Sequence, residues 1–225
     1  MAWTSQVDDY CERIDPGFWA EPLNAISNGG FLIAAFIAWN MAKNDNDWGP
    51  KLLAILLAAI GIGSFTFHTF ATNWAAVADV GPITAFILAY VYLTMTRLLG
   101  LPFWAGLLAI AAFFPYSMVL ASAVSSLFGP LNGSVAYVPV VVLIFAFAAL
   151  TWQRAPATGR GLLIGGGLLT LSLIFRTIDA RICPSLPFGS HFVWHLLNAI
   201  LLWWMIRVLI RHNTGLSLAS GTRRG

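Results

Sequence analysis

Long apolar runs alternate with short polar breaks along almost the whole chain. A membrane-spanning helix needs about 20 mostly apolar residues, and the sequence offers seven stretches of that kind. We place the predicted spans at residues 23–41, 52–70, 77–99, 103–123, 136–152, 162–180 and 192–210. The breaks between them are rich in Pro, Gly, Asn and Asp, which favour turns. The pattern predicts an all-α integral membrane protein, a bundle of seven transmembrane helices.

The composition agrees with this interpretation. Of the 225 residues, 59% are apolar and only 9% are charged, whereas about a quarter of the residues of a soluble domain are charged. We expect one transmembrane domain at 1–215 that includes a short acidic N-terminal segment, 1–22. This segment has no positive region before an apolar core, so we expect no cleavable signal peptide. The small and polar tail, 216–225, is expected to be disordered, and the scattered basic residues do not indicate a nucleic-acid partner.

The basic residues predict how the bundle is oriented, because cytoplasmic loops carry an excess of Lys and Arg. With seven spans, one side of the membrane holds most of them: Lys43, Lys51, Arg97, Arg154, Arg160, Arg207, Arg211, Arg223 and Arg224. The other side holds only Arg13 and Arg181, and Arg176 lies inside the sixth span. We therefore expect the C-terminus in the cytoplasm and the N-terminus outside, in the periplasm, the cell exterior or an organelle lumen.

Five polar residues of the spans fall at similar depth in the outer half of the membrane. His68 ends the second predicted span, and Ser64 precedes it by four residues, on the same helical face. Asp79 opens the third span, after a short connection. His191 and His195 lie four residues apart in the first two turns around the start of the seventh span, so their side chains share one face. Ionisable residues inside a membrane are costly and indicate a functional site.

These residue types fit metal-assisted hydrolysis. Three histidines and a water form a known catalytic zinc arrangement, in which zinc lowers the pKa of its water to about 7. A carboxylate such as Asp79 can act as the general base and later protonate a leaving group. The hydroxyl of Ser64 can donate a hydrogen bond to an oxyanion.

Each residue also has a simpler interpretation when it is considered alone. A histidine at a span end is often an interfacial side chain, and a His-x-x-x-His pair also occurs in haem sites or in structural roles. Ser64 can bond back to a helix carbonyl, and Asp79 can be a first-turn carboxylate that the helix dipole favours. The convergence of all five residues on one side favours the metal site.

The acidic N-terminal segment and the two cysteines leave alternatives open. Five acids precede the first span: Asp8, Asp9, Glu12, Asp15 and Glu21. They form either a negative flank or, with amide oxygens such as that of Asn24, a calcium site, which needs six to eight oxygen ligands. Cys11 and Cys183 fall on the same predicted outer side, where an oxidising compartment permits a disulfide. Two free thiols are the alternative.

Several motifs together resemble the alkaline ceramidases and the wider CREST superfamily of membrane hydrolases. The segments 9–12 (DYCE) and 20–28 (AEPLNAISN) are similar to the start of these enzymes. The segment 63–68 (GSFTFH), with Asp79 eleven residues later, resembles their second and third spans. Asp179 with Cys183, and the segment 191–195 (HFVWH), resemble their sixth and seventh spans. The superfamily also includes adiponectin-type receptors and enzymes that remodel lipid anchors.

The resemblance implies a site for each group of residues. Zinc would be bound by His68, His191 and His195, with Ser64 and Asp79 beside the metal-bound water. Calcium would be bound by Asp9, the backbone carbonyl of Tyr10, Glu12 and Glu21, and Cys11 would pair with Cys183. The chain departs from the family pattern at Ile14, where a further oxygen ligand is usual and Asp15 is a possible substitute. It also departs at Arg176-Thr177, where the family has an aromatic residue and Asn.

The functional hypothesis is an intramembrane zinc amidase that hydrolyses the N-acyl bond of ceramide or a related N-acyl lipid, giving a fatty acid and a sphingoid-type amine. A zinc-dependent lipid esterase is the first alternative, because the same water attacks an ester. A seven-span receptor or transporter with a structural metal is the second, and a haem-binding electron carrier is the third.

Overall fold

The computed structural model describes the backbone of residues 2–44 and 46–221, and side chains up to residue 215. The described part is helical, and its one isolated β-bridge joins Gln6 to Thr72. Its α-helices in chain order are α1 Pro22–Ser27, α2 Gly29–Ala42, α3 Trp48–Phe70, α4 Asn73–Leu93, α5 Phe103–Phe128, α6 Val138–Trp152, α7 Pro156–Ile182 and α8 His191–Gly221. A π-helical turn, Thr94–Leu98, extends α4, and a 3-10 helix, Leu131–Tyr137, leads into α6.

Seven helical segments of the described chain are long and apolar enough to cross a membrane, which confirms the predicted fold class. The first combines α1 and α2 into Pro22–Ala42, and each later segment contains most or all of one predicted span. Large apolar side chains cover the outside of the bundle; Phe36 is 69% exposed and Met118 is 68% exposed. Such a surface suits lipid and not water. The protein is therefore a multi-pass membrane protein, and the side on which each terminus lies stays a prediction.

Several helices begin earlier than the predicted apolar spans, and α3 and α7 show why. Helix α3 starts at Trp48, because the Asp47 side chain accepts a hydrogen bond from the Gly49 amide at 3.0 Å and caps the helix. Helix α7 starts at Pro156, and proline is well suited to a first helical position. Hydropathy marks the apolar part of each helix, whereas capping residues decide where the helix begins.

Helices α2, α3, α4, α6, α7 and α8 contribute the buried apolar core, which includes Phe31, Leu53, Leu93, Ile144, Leu162 and Ile206. Helix α5 lies at the periphery, since none of the residues in its most apolar stretch is buried. The helices that carry the histidines, α3 and α8, therefore belong to the core. Helix α5 faces lipid over most of its surface.

The N-terminal segment lies against the end of the bundle where α3 and α4 meet. The amide of Val7 donates to the carbonyl of Ala71 at 2.8 Å, and the amide of Asn73 donates to the carbonyl of Ser5 at 3.1 Å. A disulfide joins Cys11 to Cys183 directly after α7, with the two Cα atoms 5.5 Å apart. This confirms the predicted pairing and holds the segment over the bundle end. The predicted disordered tail, 216–225, lies outside the part of the chain whose side chains are described.

Candidate metal centre

Three buried histidines meet beneath the N-terminal segment. His68 lies near the C-terminal end of α3, and His191 and His195 lie in the first two turns of α8. Their imidazoles are at most 1% exposed, and one ring nitrogen of each lies within 4.8 Å of the others. Among the described residues this is the one cluster of three or more histidine, cysteine or acidic side chains with that spacing. The cluster could hold a metal ion.

Each imidazole has one buried nitrogen without a hydrogen-bond partner: Nε2 of His68, Nδ1 of His191 and Nε2 of His195. A buried polar atom is rarely left unpaired. On two rings the other nitrogen is already bound, since His68 Nδ1 lies 2.6 Å from Glu21 Oε2 and His195 Nδ1 lies 2.8 Å from Ser27 Oγ. Histidine ligands commonly bond an outer partner in this way, which fixes the ring and frees the inner nitrogen for a metal. The residues present therefore fit a metal.

Ser64 and Asp79 are both buried, and the Ser64 side chain lies close enough to the Asp79 carboxylate to interact with it. Asp79 Oδ1 has no hydrogen-bond partner. Asp79 is close enough to interact electrostatically with His68. Gly63 makes this arrangement possible, because a Cβ there would collide with the carbonyl of Ala78 and crowd the backbone of Asp79. A carboxylate and a hydroxyl are thus available next to three potential metal ligands.

Asp179 positions the start of α8. One carboxylate oxygen, Oδ1, accepts the backbone amides of Ser190 at 2.6 Å and His191 at 2.9 Å. The other oxygen accepts the amide of Cys11 at 3.1 Å. Gly189 is required at this point, since its φ is +61° and a Cβ would collide with Asp179 and Cys11. Asp179 therefore connects α7, α8 and the N-terminal segment.

Two aromatic side chains enclose His191. The ring of Tyr10 stacks on it with centroids 3.7 Å apart, and Trp194 stacks on it at 5.0 Å. The sequence suggested only the backbone carbonyl of Tyr10 as a ligand. The structure assigns its side chain a packing role, and burial raises the pKa of the Tyr10 hydroxyl above its ordinary value.

Arg176 of α7 borders the same rings. Its guanidinium lies 5.5 Å from the ring centroid of Tyr10, 5.6 Å from that of Tyr137 and 5.2 Å from that of Trp194. Nη1 donates to the Tyr10 hydroxyl at 3.0 Å. The side-chain amide of Asn132 donates to the backbone carbonyl of Arg176 at 2.9 Å. The sequence placed Arg176 in the sixth span, at a position where the chain departs from the ceramidases that it resembles.

Three of the four residues suggested as calcium ligands have other partners in the structure. Asp9 is exposed, and the Tyr10 carbonyl accepts the amide of Arg13 at 3.2 Å. Glu12 accepts the amides of Leu23 at 2.7 Å and Asn24 at 2.8 Å. Burial raises the pKa of Glu12 above its ordinary value, although these two amides oppose the shift.

Glu21 is bound by three side chains. Its oxygens accept Arg13 Nε at 2.6 Å, His68 Nδ1 at 2.6 Å and Asn24 Nδ2 at 3.0 Å. Burial alone would raise the pKa of Glu21, but hydrogen bonds and charge from His68, Asn24 and Arg13 outweigh it and hold the pKa below its ordinary value.

An apolar cavity lies between the helices next to the cluster. Its walls include Phe31, Phe86, Tyr137, Trp194, Leu201 and Met205. Phe31 and Trp194 are also neighbours of His195, with ring centroids 6.1 and 5.2 Å away. The cavity and the histidine cluster therefore share walls.

No protein-family model matches the chain, and no curated protein sequence matches it significantly.

Sequence patterns identified the histidines, Ser64 and Asp79 through their predicted depth in the membrane. The same reasoning did not identify the second partners of the histidines, Glu21 and Ser27, because those contacts join segments far apart in the chain. A signal for Asp179 was present, since an acid at a span end close to a glycine and a following helix start suggests a cap.

Proposed function

We propose that the protein is an intramembrane zinc-dependent amidase of the alkaline ceramidase type, which hydrolyses the N-acyl bond of ceramide or a related N-acyl lipid. The observation that carries the proposal is the buried cluster of His68, His191 and His195, each with an unpaired inner nitrogen. The supporting observations are the adjacent Ser64 and Asp79 and the apolar cavity that shares walls with the cluster.

Zinc held by the three imidazoles would polarise the amide carbonyl and acidify a water. Asp79 takes the proton from the attacking water, whose oxygen adds to the carbonyl carbon. Ser64 donates a hydrogen bond to the oxygen that gains negative charge. Asp79 then returns the proton to the amide nitrogen as the carbon–nitrogen bond breaks, which yields a fatty acid and an amine.

The proposed location is the outer half of the membrane. The disulfide between Cys11 and Cys183 lies at the same bundle end as the histidines, and disulfides persist in oxidising compartments. The basic residues predict the same orientation.

The test uses the purified protein in detergent. We expect about one zinc per chain and release of fatty acid from ceramide. The Asp79→Asn variant should retain zinc and lose turnover by about 10²- to 10⁴-fold, the usual contribution of a general base. An Asp8→Asn variant changes an exposed acid and serves as the control.

The same measurements distinguish the alternatives. Faster release from phospholipids than from any N-acyl lipid would support an esterase. A zinc-loaded protein that hydrolyses neither class would contradict the proposal and support a structural metal in a receptor or transporter.

A further inference from the structure

A buried arginine lies among oxygen atoms beside the metal centre. The side chains of Arg13 and Glu21 are 3% and 2% exposed, and Arg13 Nε lies 2.6 Å from Glu21 Oε1. Nη1 donates to the carbonyls of Asp15 at 3.1 Å and Gly17 at 3.4 Å. Nη2 donates to the carbonyl of His68 at 3.1 Å. One guanidinium thus holds one carboxylate oxygen and three carbonyl oxygens, of which that of His68 is 55 residues away in the chain.

This arrangement does not fit the calcium site that the resemblance implies. Calcium needs six to eight oxygens, and here Glu21 and Glu12 already bond to nitrogen donors. A bound calcium would also meet the positive charge of Arg13. Asn24 Oδ1 is buried without a partner, but one amide oxygen cannot supply the shell that calcium requires.

The same arginine is connected to the metal centre through one carboxylate. Glu21 Oε1 accepts Arg13, and Glu21 Oε2 accepts His68 Nδ1. A carboxylate in this position orients a metal-ligating histidine and raises its basicity. Arg13 in turn restricts the position of Glu21 and bonds the backbone of His68 itself.

We propose that Arg13 is a built-in cation that replaces calcium in this protein and positions His68 through Glu21, so that the metal centre is calcium-independent. Arg13 does not contact the reacting atoms and acts only as a positioning residue. The proposal does not depend on the substrate, since it concerns metal content and ligand geometry.

The first test measures metals. Wild-type protein dialysed against excess calcium and then against calcium-free buffer should retain zinc and no stoichiometric calcium. A calcium chelator such as EGTA, at a concentration that leaves the zinc in place, should leave the melting temperature unchanged. One tightly bound calcium per chain, or a lower melting temperature in EGTA, would overturn the proposal.

The second test changes Arg13. Arg13→Gln should weaken zinc binding about 10- to 100-fold in a chelator competition, and Arg13→Lys should recover only part of the loss, because an ammonium cannot reach all four oxygens. The visible spectrum of the cobalt-substituted protein should shift in both variants, since the geometry of His68 changes. Arg181→Gln, an exposed arginine near the same bundle end, is the matched control.

Arg13→Lys preserves the charge and keeps this test decisive if Arg13→Gln does not fold. Zinc affinity and a cobalt spectrum equal to wild type in a folded Arg13 variant would contradict the positioning role.

Arg176 supports a second and independent inference. It forms no ion pair within the part of the chain that the structure describes, and its Nε is buried without a hydrogen-bond partner. The carboxylate that interacts with it electrostatically is that of Asp79, which the proposed reaction uses as its base. A buried cation in a membrane is costly unless an anion accompanies it.

The position of Arg176 indicates where such an anion would be. Tyr137 and Trp194, over which the guanidinium lies, also line the apolar cavity. Arg176 therefore lies against two side chains of the cavity wall, and one of them, Trp194, also stacks on His191.

The geometry points to a substrate whose head group carries an anion close to the scissile amide, such as the carboxylate of an N-acyl amino acid. This inference rests on the proposed function. It deepens that proposal by selecting acidic members from the N-acyl lipids.

The test compares N-palmitoylglycine with N-palmitoylethanolamine, which have the same acyl chain and differ in the charge of the head group. We expect kcat/KM to favour the acidic lipid by about tenfold or more, the contribution of one charged hydrogen bond. In Arg176→Gln this ratio should fall to about one, with most of the change in KM. A wild-type preference for the neutral lipid, or an unchanged ratio in the variant, would overturn the inference.

Hydrolysis of neither lipid would count against the proposed function alone. The dissociation constants of both lipids would then be measured in the Asp79→Asn protein, with and without Arg176→Gln. A preference for the acidic lipid that Arg176→Gln removes would support the selection of an anion by Arg176, and no such preference would contradict it.

Discussion

The three histidines have similar burial but are oriented by different neighbours. Glu21 bonds His68, Ser27 bonds His195, and the rings of Tyr10 and Trp194 enclose His191. A metal centre in a membrane needs this restraint, because a misoriented imidazole would leave both the ring nitrogen and the metal unsatisfied. The outer partners should therefore affect metal affinity without touching the metal.

Ser27→Ala tests this expectation. The change removes the hydrogen bond to His195 Nδ1 and should weaken zinc binding by about tenfold or more, since outer partners of metal ligands contribute 10- to 100-fold. Zinc affinity is measured by chelator competition. Ser126→Ala removes an exposed serine of α5 and is the matched control. Equal affinities in the two variants would show that Ser27 does not orient the ring.

A substitution at Gly189 tests whether the backbone conformation before α8 requires glycine. Gly189→Ala places a Cβ at a positive φ and against Asp179 and Cys11, so we expect a loss of about 1–3 kcal/mol in unfolding free energy. Gly167→Ala is the control, because open space surrounds this helical glycine; it should be neutral or stabilising by about 0.5–1 kcal/mol. Thermal unfolding in detergent measures both, and a stable Gly189→Ala protein would contradict the expectation.

Among the helices, polar contacts join the ends of neighbouring helices, and the hydropathy pattern does not predict these contacts. Asp47 caps α3 and also accepts Arg97 Nε at 3.0 Å and Asn213 Nδ2 at 2.9 Å. Three membrane segments therefore meet at one carboxylate, at the bundle end opposite the histidines. Asp179 has the corresponding role at the histidine end, where it joins α7 to α8.

The contacts of Asp47 lead us to expect that the stability of the folded protein depends on pH. Burial alone would raise the pKa of Asp47, but hydrogen bonds from Gly49, Arg97 and Asn213 outweigh it and hold the pKa below its ordinary value. A carboxylate with a lowered folded pKa stabilises the protein above its unfolded pKa of about 4, and this stabilisation disappears as the pH falls through the folded pKa.

The measurement compares melting temperatures of wild type and Asp47→Asn between pH 7 and pH 3. At pH 7 the variant should be less stable by about 1 kcal/mol, a modest value because the Arg97 side chain is 37% exposed and solvent screens the pair. The difference should shrink toward pH 3. Asp8→Asn, which changes an exposed acid, is the control, and a difference between Asp47→Asn and wild type that stays constant with pH would contradict the assignment.

At the scale of the whole molecule, the disulfide and the N-terminal segment close the histidine end of the bundle. The segment supplies Tyr10, Arg13 and Glu21, and a cross-link holds it to the end of α7. We expect the Cys11→Ser/Cys183→Ser double variant to lose about 2–4 kcal/mol of stability and to bind zinc less tightly. Limited proteolysis of the N-terminal segment, with exposed Ser126→Ala as the control, should show faster cleavage in the double variant; equal rates would argue against this role.

The orientation of the bundle is a further prediction at this scale. A reporter that functions only in the cytoplasm should be active when fused to the C-terminus, and a reporter that functions only outside should be inactive there. The reason is that nine of the basic residues lie on the same side as the C-terminus in the predicted topology. The opposite result would place the histidines in the cytoplasmic half and would make a stable disulfide difficult to explain.

Features that depend on local pattern could be predicted from the amino-acid sequence alone. Seven apolar runs predicted seven spans, because apolar length decides whether a helix suits a bilayer. The spacing of His191 and His195, and the depth of His68, predicted a shared site, because helical periodicity places side chains on faces. The Cys11–Cys183 pairing also followed from the resemblance and is present in the structure.

The side chains that complete the site could be identified only from the packing of the folded chain. Glu21 was suggested as a calcium ligand and lies between Arg13 and His68; Asp179 caps α8. Arg13 contacts Glu21, 8 positions away, and the carbonyl of His68, 55 positions away, and local sequence pattern does not predict such pairings. Local sequence decides where helices form, whereas the partner of a buried charge depends on which distant segments pack around it.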